Sequence, residues 1–551
     1  MIPPLPNLDS LSLVEQVAQM VVVRASGHLF DHEIQYPVWE PQAAVLQRWV
    51  KDLGVGGIIL LGGSAAEIAL RTQQCQEWAK IPLLVCADVE EGVGQRFSGA
   101  TWFPPPMAIA AIAQTDLQTA CRLSEQMGKT TAQEGLAIGL NWILSPTVDV
   151  NNNPDNPVIN VRAFGETPEI VSALTTAFIR GVQSQGALTV AKHFPGHGDT
   201  ATDSHLELPV ILHDRHRLDQ IELPPFKAAI AAGVDAVMSA HLQIPALDDQ
   251  APATLSQPVL TGLLREELGF EGLITTDALI MGAIANRYGT EEACILAIEA
   301  GADILLMPLE PEKAIQAVCK AVESGRISPD RIQASVERIL RAKLKIGAPP
   351  ADTETAHAWE KVSPVGLETH TLTDQLGQPE ATIAAHEILQ LSMQVHHPTP
   401  FRLDNVLTQG RNLIVVDDGI DCDFLGRTAP AIVLPQHLGF TQVQVVDKHT
   451  PDIFFDAVSH QSTLLQLFIR GNPFRGSAGL TETAQEWFEF LRRSDQLQAL
   501  VIYGSPYVVE QFVPKLPPDV PYVFTYGQMQ SAQAIALNAL LKHTSSDRER
   551  G

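Results

Sequence analysis

No stretch of this 551-residue sequence approaches eighteen consecutive apolar residues, the length a helix needs to cross a bilayer. A helical membrane span is therefore not expected within it. Cysteine is scarce: Cys75, Cys86, Cys121, Cys294, Cys319 and Cys422 are the whole set, and none falls in Cys-x-x-Cys spacing. A zinc ribbon or dithiol redox site is thus not indicated, and cysteines inside apolar periodic runs read as reduced core residues. Positive charge is also short, with 37 Lys and Arg against 63 Asp and Glu and a formal net charge of −26. That balance argues against a nucleic-acid or anionic-membrane partner and says little about a neutral substrate. Met1-Ile2-Pro3-Pro4-Leu5-Pro6 lacks a basic segment followed by an apolar one, so a cytoplasmic location is expected. Low-complexity tracts and internal repeats are missing as well.

What is present is a sizeable apolar fraction, 45% of residues, enough for a large interior. The chain is too long for one ordinary core, so two domains are expected. From the N-terminus to about residue 345, short apolar β-branched runs alternate with amphipathic stretches. Strands are predicted over 18–24, 56–61, 83–87, 141–144, 188–191, 236–240, 273–276 and 303–307, with helices over 117–134, 169–184, 219–232, 258–268 and 290–300. Eight strands alternating with helices is the arithmetic of a (β/α)8 barrel of the TIM type, although periodicity alone leaves a doubly wound open sheet possible. Residues 346–380 are rich in Pro, Thr and Glu and read as a linker. A second alternation over 381–551 predicts a smaller α/β sandwich domain, with strands at 413–417, near 431–434, at 443–446, 464–469, 499–503 and 522–525.

The densest chemistry lies in residues 191–205, where three histidines, two aspartates, a lysine and two glycines occupy fifteen positions directly after an apolar run. Each such side chain must be solvated, paired or hydrogen-bonded, which a purely structural loop has little reason to require. In a barrel, residues at the carboxyl ends of strands face the active site. The predicted strand ends deliver Asp88, Ser145 with Asp149, Lys192 with His193, His241 and Asp277. Asp277 leaves an apolar strand for an apolar Ala-Leu-Ile-Met segment, so a cationic or hydrogen-bonding group is needed to hold it, and Lys192 and Arg162 are the candidates. A carboxylate fixed there can attack an electrophilic carbon, as in retaining glycoside hydrolysis, or merely cap the next helix. In Asp203-Ser204-His205 the carboxylate can fix the imidazole tautomer, leaving the other ring nitrogen to work as acid and then base. Gly196 and Gly198 read as the hinge that bends this loop over the barrel mouth.

These residues resemble glycoside hydrolase family 3, in its bacterial β-N-acetylglucosaminidase branch. The likeness rests on Lys192-His193-Phe194-Pro195-Gly196-His197-Gly198-Asp199-Thr200 followed by Asp203-Ser204-His205. Further matches are Asn151-Asn152-Asn153-Pro154 with Val158 to Gly165, and Met238-Ser239-Ala240-His241 with Pro252 to Ser256. The resemblance covers roughly residues 10–345. It implies Asp277 as the nucleophile that forms a glycosyl-enzyme and His205, held by Asp203, as the acid/base. It also implies Asp88, Arg96, Arg162, Lys192 and His193 as the groups that hold the sugar. Departures stand in Asp88-Val89-Glu90-Glu91-Gly92-Val93-Gly94-Gln95-Arg96-Phe97, where Glu91 replaces a usual glycine and Val93 a usual arginine, and in Leu279-Ile280-Met281, where Leu-Ser-Met is more usual.

The implied activity is exo-hydrolysis of terminal β-linked N-acetylglucosamine, with peptidoglycan (muropeptide) fragments as the carbohydrate partner, no metal and no organic cofactor. A monomer or small homo-oligomer is expected. Alternatives are a β-glucosidase of the same family, a glycoside phosphorylase, in which a histidine acid/base would tolerate the phosphate anion, and a metal-dependent barrel hydrolase. The last would use His193, His197, Asp199, Asp203 and His205 as ligands; chelator sensitivity separates it from the glycosidase.

Overall fold

The structure, a computed structural model, describes residues 6–34, 36–201, 207–346, 372, 374–398, 410–419, 422, 424–450, 461–470 and 482–546. Eight parallel strands form the first sheet: β1 (Val21–Ser26), β2 (Gly57–Leu61), β3 (Leu84–Ala87), β4 (Trp142–Ile143), β5 (Leu188–Phe194), β6 (Ala236–Ser239), β7 (Leu273–Thr275) and β8 (Leu305–Leu306). Their order is β7-β6-β5-β4-β3-β2-β1-β8. The two ends meet, because Thr275 bridges Ile304 and the Thr276 N–H donates to the Ile304 carbonyl at 3.1 Å. Closure decides between the two sheets the periodicity allowed: this is the barrel. Its strands are almost wholly buried and accordingly read as short, largely apolar runs.

Two predicted boundaries move for local reasons. Residues 18 and 19 belong to the helix Leu13–Gln19, not to a strand. Ser12 starts that helix by a capping box with Glu15, which places its first turn ahead of the apolar run. The single helix predicted over 219–232 is two, Arg215–Gln220 and Leu223–Ala231. Pro224 and Pro225 lack the N–H a helix interior needs and fit only in the first turn of a new one.

The second sheet contains β9 (Gln394–His396), β10 (Arg411–Val415), β11 (Gln442–Val446), β12 (Thr463–Ile469), β13 (Leu497–Gly504) and β14 (Tyr522–Thr525), ordered β11-β10-β12-β13-β14-β9. All pairings are parallel except β14 with the edge strand β9, which was not predicted. The run at 431–434 is part of the helix Pro430–Gln436 and not a strand. A short apolar run fits either state, and here Pro430 at the first helical position and packing on the helix Gln530–Ser546 select the helix. One face of the sheet, with Leu413, Val415, Leu465, Leu467, Leu500 and Ile502, joins the barrel in a single apolar cluster. The other face buries Ile414, Leu464, Phe468, Val501 and Tyr503 with Ala536 and Leu537. Most of the predicted linker falls outside the described residues. Beyond it the helix Pro379–Ser392 packs on the barrel helices Met107–Ala113 and Leu117–Ala137. Among the described residues no helix is long and apolar enough to cross a membrane.

Candidate functional site

The carboxyl ends of β3 and β5 flank that of β4 around the barrel mouth, and the chain places opposite charges there. β3 runs into Asp88 and Glu90, while Lys192 is the fifth residue of β5. Lys192 Nζ sits 2.7 Å from Asp88 Oδ1 and 2.6 Å from Glu90 Oε1, with its side chain 1% exposed. Arg162, at the end of the one-turn helix Asn160–Arg162, donates Nε and Nη2 to the two oxygens of Glu90, both at 2.8 Å, and Nη1 to the Val158 carbonyl at 2.8 Å. Burial works against the charge on Glu90, yet Arg162 and Lys192 outweigh it and hold the carboxyl well below the usual range. Burial likewise opposes the Lys192 charge, and Asp88 and Glu90 reverse that, so the amine titrates above its ordinary value. The four groups form a fixed ionic chain of which Asp88, 32% exposed, is the end nearest solvent. Arg96 donates Nε to the Asp88 carbonyl at 3.1 Å and is exposed, so it braces the backbone of this loop.

A second cluster hangs on Asp149, which is fully buried. Its carboxylate accepts His193 Nδ1 at 2.8 Å, the His193 N–H at 3.2 Å and the His197 N–H at 2.7 Å. His193 thus has its orientation set by a carboxylate, in the place where β5 slips register against β6 between Lys192 and Phe194. Desolvation pushes the His197 imidazole down to about 4, so it is neutral near pH 7, and its Nδ1 lies 3.1 Å from Thr200 Oγ1. The turn is held from outside by Asn156, whose Nδ2 donates to the carbonyls of His197 and Gly198, both at 2.9 Å. Gly198 is needed for close approach rather than for bending: a Cβ there would stand 1.7 Å from the Val150 carbonyl oxygen.

Asp277 follows β7 by two residues and is half-buried. Its Oδ1 accepts the Ala278 N–H at 2.7 Å. The next peptide group is met by His241, whose Nε2 lies 3.1 Å from the Ala278 carbonyl and whose Nδ1 lies 2.8 Å from Thr254 Oγ1. The Asp277 charge also acts on the His197 ring, which ties the β7 end to the turn after β5. The two cations put forward for Asp277 are engaged elsewhere: Lys192 with Asp88 and Glu90, Arg162 with Glu90.

The barrel therefore brings Asp88, Arg162, Lys192, His193 and Asp277 to one mouth, with Arg96 at its rim. Asp203 and His205 lie outside the described residues. Asp149, named among the strand ends but given no role, and Glu90, which was not singled out, are both central. Their signal was a charged residue just past an apolar strand, the same signal that found Asp88. The donors of the metal reading take different partners: Asp149 for His193, Thr200 for His197, and His213 with Arg217 for Asp199. Among the described residues, the group spaced as metal ligands is His28, Glu33 and Glu67. Its Glu67 already accepts the N–H groups of Ser64 and Leu29.

Two family models match the chain: the glycosyl hydrolase family 3 N-terminal domain over residues 12–342 and the bacterial glycosyl hydrolase family 3 C-terminal domain over 404–542. The chain is 32% identical over 530 residues to beta-hexosaminidase A of Pseudoalteromonas piscicida, covering 88% of this chain and 83% of that protein. It is 33% identical over 307 residues to a beta-N-acetylglucosaminidase/beta-glucosidase of Cellulomonas fimi, covering 54% of this chain and 53% of that one. The solved structure of a glycoside hydrolase family 3 beta-N-acetylglucosaminidase from Paenibacillus sp. str. FPU-7 superposes with a TM-score of 0.76 at 29% identity, covering 97% of both chains.

Proposed function

The chain belongs to glycosyl hydrolase family 3, and on that premise we propose that it is a retaining exo-β-N-acetylhexosaminidase releasing terminal β-linked N-acetylglucosamine. The observation that carries this reading is the placement of Asp277. Its carboxylate stands at the end of β7, held by a backbone N–H, at the same mouth as the Asp88–Lys192–Glu90–Arg162 chain.

In the first half-reaction Asp277 attacks the anomeric carbon while His205, oriented by Asp203, gives its proton to the departing glycosidic oxygen. A glycosyl-enzyme ester and the free aglycone result. In the second, His205 takes a proton from water, the water oxygen bonds to the anomeric carbon, and Asp277 leaves as carboxylate. Two displacements restore the original configuration. Asp88, Arg96, Arg162, Lys192 and His193 hold the hydroxyls and acetamido group. Of these, Asp88 supplies a partly exposed carboxylate whose charge is already balanced by Lys192, and His193 a ring locked by Asp149. The chemistry is complete in side chains and calls on no metal or organic cofactor.

The names of the hexosaminidase relatives support N-acetylglucosamine over glucose. We read residues 1–345 as the catalytic domain, 346–380 as its linker and 381–551 as the second domain. We place the enzyme in the cytoplasm, acting on peptidoglycan (muropeptide) fragments. Burial pushes the Cys75 and Cys294 thiols up to about 12, as unreactive core groups.

Asp277→Ala and His205→Ala, assayed on an aryl N-acetyl-β-glucosaminide beside the aryl β-glucoside, test the reading. Asp277→Ala should lower kcat by about 10^4-fold or more. Full activity in that variant ends the proposal, and a preference for the glucoside ends its substrate half.

A further inference from the structure

Two barrel loops build the charged mouth, residues 88–96 after β3 and residues 151–165 after β4, and each is gripped by the second domain. Glu91, the residue that departs from the usual glycine, is completely buried. Its carboxylate accepts Trp102 Nε1 at 2.9 Å and both Nη atoms of Arg470, Nη1 at 3.2 Å. Arg470 is the residue directly after β12. The other grip comes from the end of β13. Tyr507 donates its hydroxyl to Glu166 Oε1 at 2.6 Å and accepts Asn151 Nδ2 at 2.8 Å, while Ser505 Oγ donates to Asn160 Oδ1 at 3.1 Å. Asn160 is held in the left-handed region at φ 43° and lies two residues before Arg162.

In an open parallel sheet the carboxyl ends of the strands are where ligands are met. Here the carboxyl ends of β12 and β13 meet the barrel mouth. Because Glu90, next to Glu91, carries both Arg162 and Lys192, a grip on Glu91 is one residue from the ionic chain. A grip on Asn160 is two residues from the far end of the same chain.

We propose that Arg470 and Tyr507 are positioning residues: the second domain clamps the two sugar-holding loops at Glu91 and at Asn151 with Glu166, and so fixes the spacing of Asp88 and Glu90 against Arg162. The proposal rests on the glycosidase reading for its catalytic consequence and on the contacts alone for its structural one. A displaced binding group costs about 10^2-fold in rate even when the chemistry is untouched.

The test uses the full chain with Arg470→Ala, Arg470→Lys and Tyr507→Phe. Amide hydrogen exchange is followed over residues 88–96 and 151–165, and kinetics are measured on the aryl N-acetyl-β-glucosaminide. Arg470→Ala is expected to raise exchange in 88–96 and Tyr507→Phe in 151–165, each with little change in barrel strands. A tenfold to hundredfold loss in kcat/KM should accompany this at temperatures where the variants are fully folded, with partial recovery in Arg470→Lys. Exchange unchanged in both loops, or raised uniformly across the barrel, overturns the clamp, as does kcat/KM within twofold of the parent. A parent chain inactive on the glucosaminide would instead sink the glycosidase reading, and the exchange pattern would still decide the clamp.

Discussion

Lys192 and Glu90 form a buried ion pair at 2.6 Å, and each has a second partner of opposite charge, Asp88 for the lysine and Arg162 for the glutamate. Such a chain tolerates burial only while every member is present, because removing one leaves its neighbours desolvated and unbalanced. Glu90→Gln should therefore cost about 3 kcal/mol of stability and lower kcat/KM by about 10^2-fold. Urea unfolding and steady-state kinetics on one preparation check both.

Gly198 predicts a local failure. A methyl group placed 1.7 Å from the Val150 oxygen forces the turn after β5 away from the β4 loop. Gly198→Ala should destabilise by about 1–3 kcal/mol and reduce kcat. A variant with parental stability and rate would show that the turn yields without cost.

His197 makes stability depend on acidity. Its folded pKa of about 4 lies below the ordinary 6.5, so across that window the unfolded chain binds a proton the folded one refuses. The contribution is fully present above 6.5 and is lost as the pH falls toward 4. Thermal unfolding from pH 7 to 4.5 should show Tm declining less steeply in His197→Asn than in the parent.

Lys343 acts at the other end of the scale. Burial pushes its amine down to about 7 from 10.5, and its Nζ is held by Gln19 Oε1 at 2.8 Å. The unfolded chain binds more protons between those values, so stability rises with pH across them. The difference between Lys343→Met and the parent should move in the parent's favour from pH 7 to 10. A constant difference in denaturation midpoint over that range would contradict the lowering of the amine by burial.

Much of the barrel was legible because its signals are local. Each predicted strand is an apolar run, and five of the eight lead into polar or charged groups, so Asp88, Lys192, His193 and Asp277 could be named from position alone. The misread pieces had ambiguous or absent local signals. The run at 431–434 suits a helix or a strand equally, and β9 is three exposed residues on an edge. Long-range pairing was out of reach: nothing near Glu91 announces Arg470, 379 positions away, and the carboxylate looked like a lapse from a motif. Asp149 was visible as a strand-end residue, but its hold on both His193 and His197 depends on the fold.

The apolar cluster that runs without a break from the barrel into one face of the second sheet has a consequence for how the molecule comes apart. With Trp487, Phe488 and Leu491 buried in the same cluster as barrel residues, neither half can lose its fold while the other keeps a dry surface. The two should melt in one cooperative transition, with a single calorimetric peak. A barrel cut off at about residue 345 would present that bare surface to water and associate with itself.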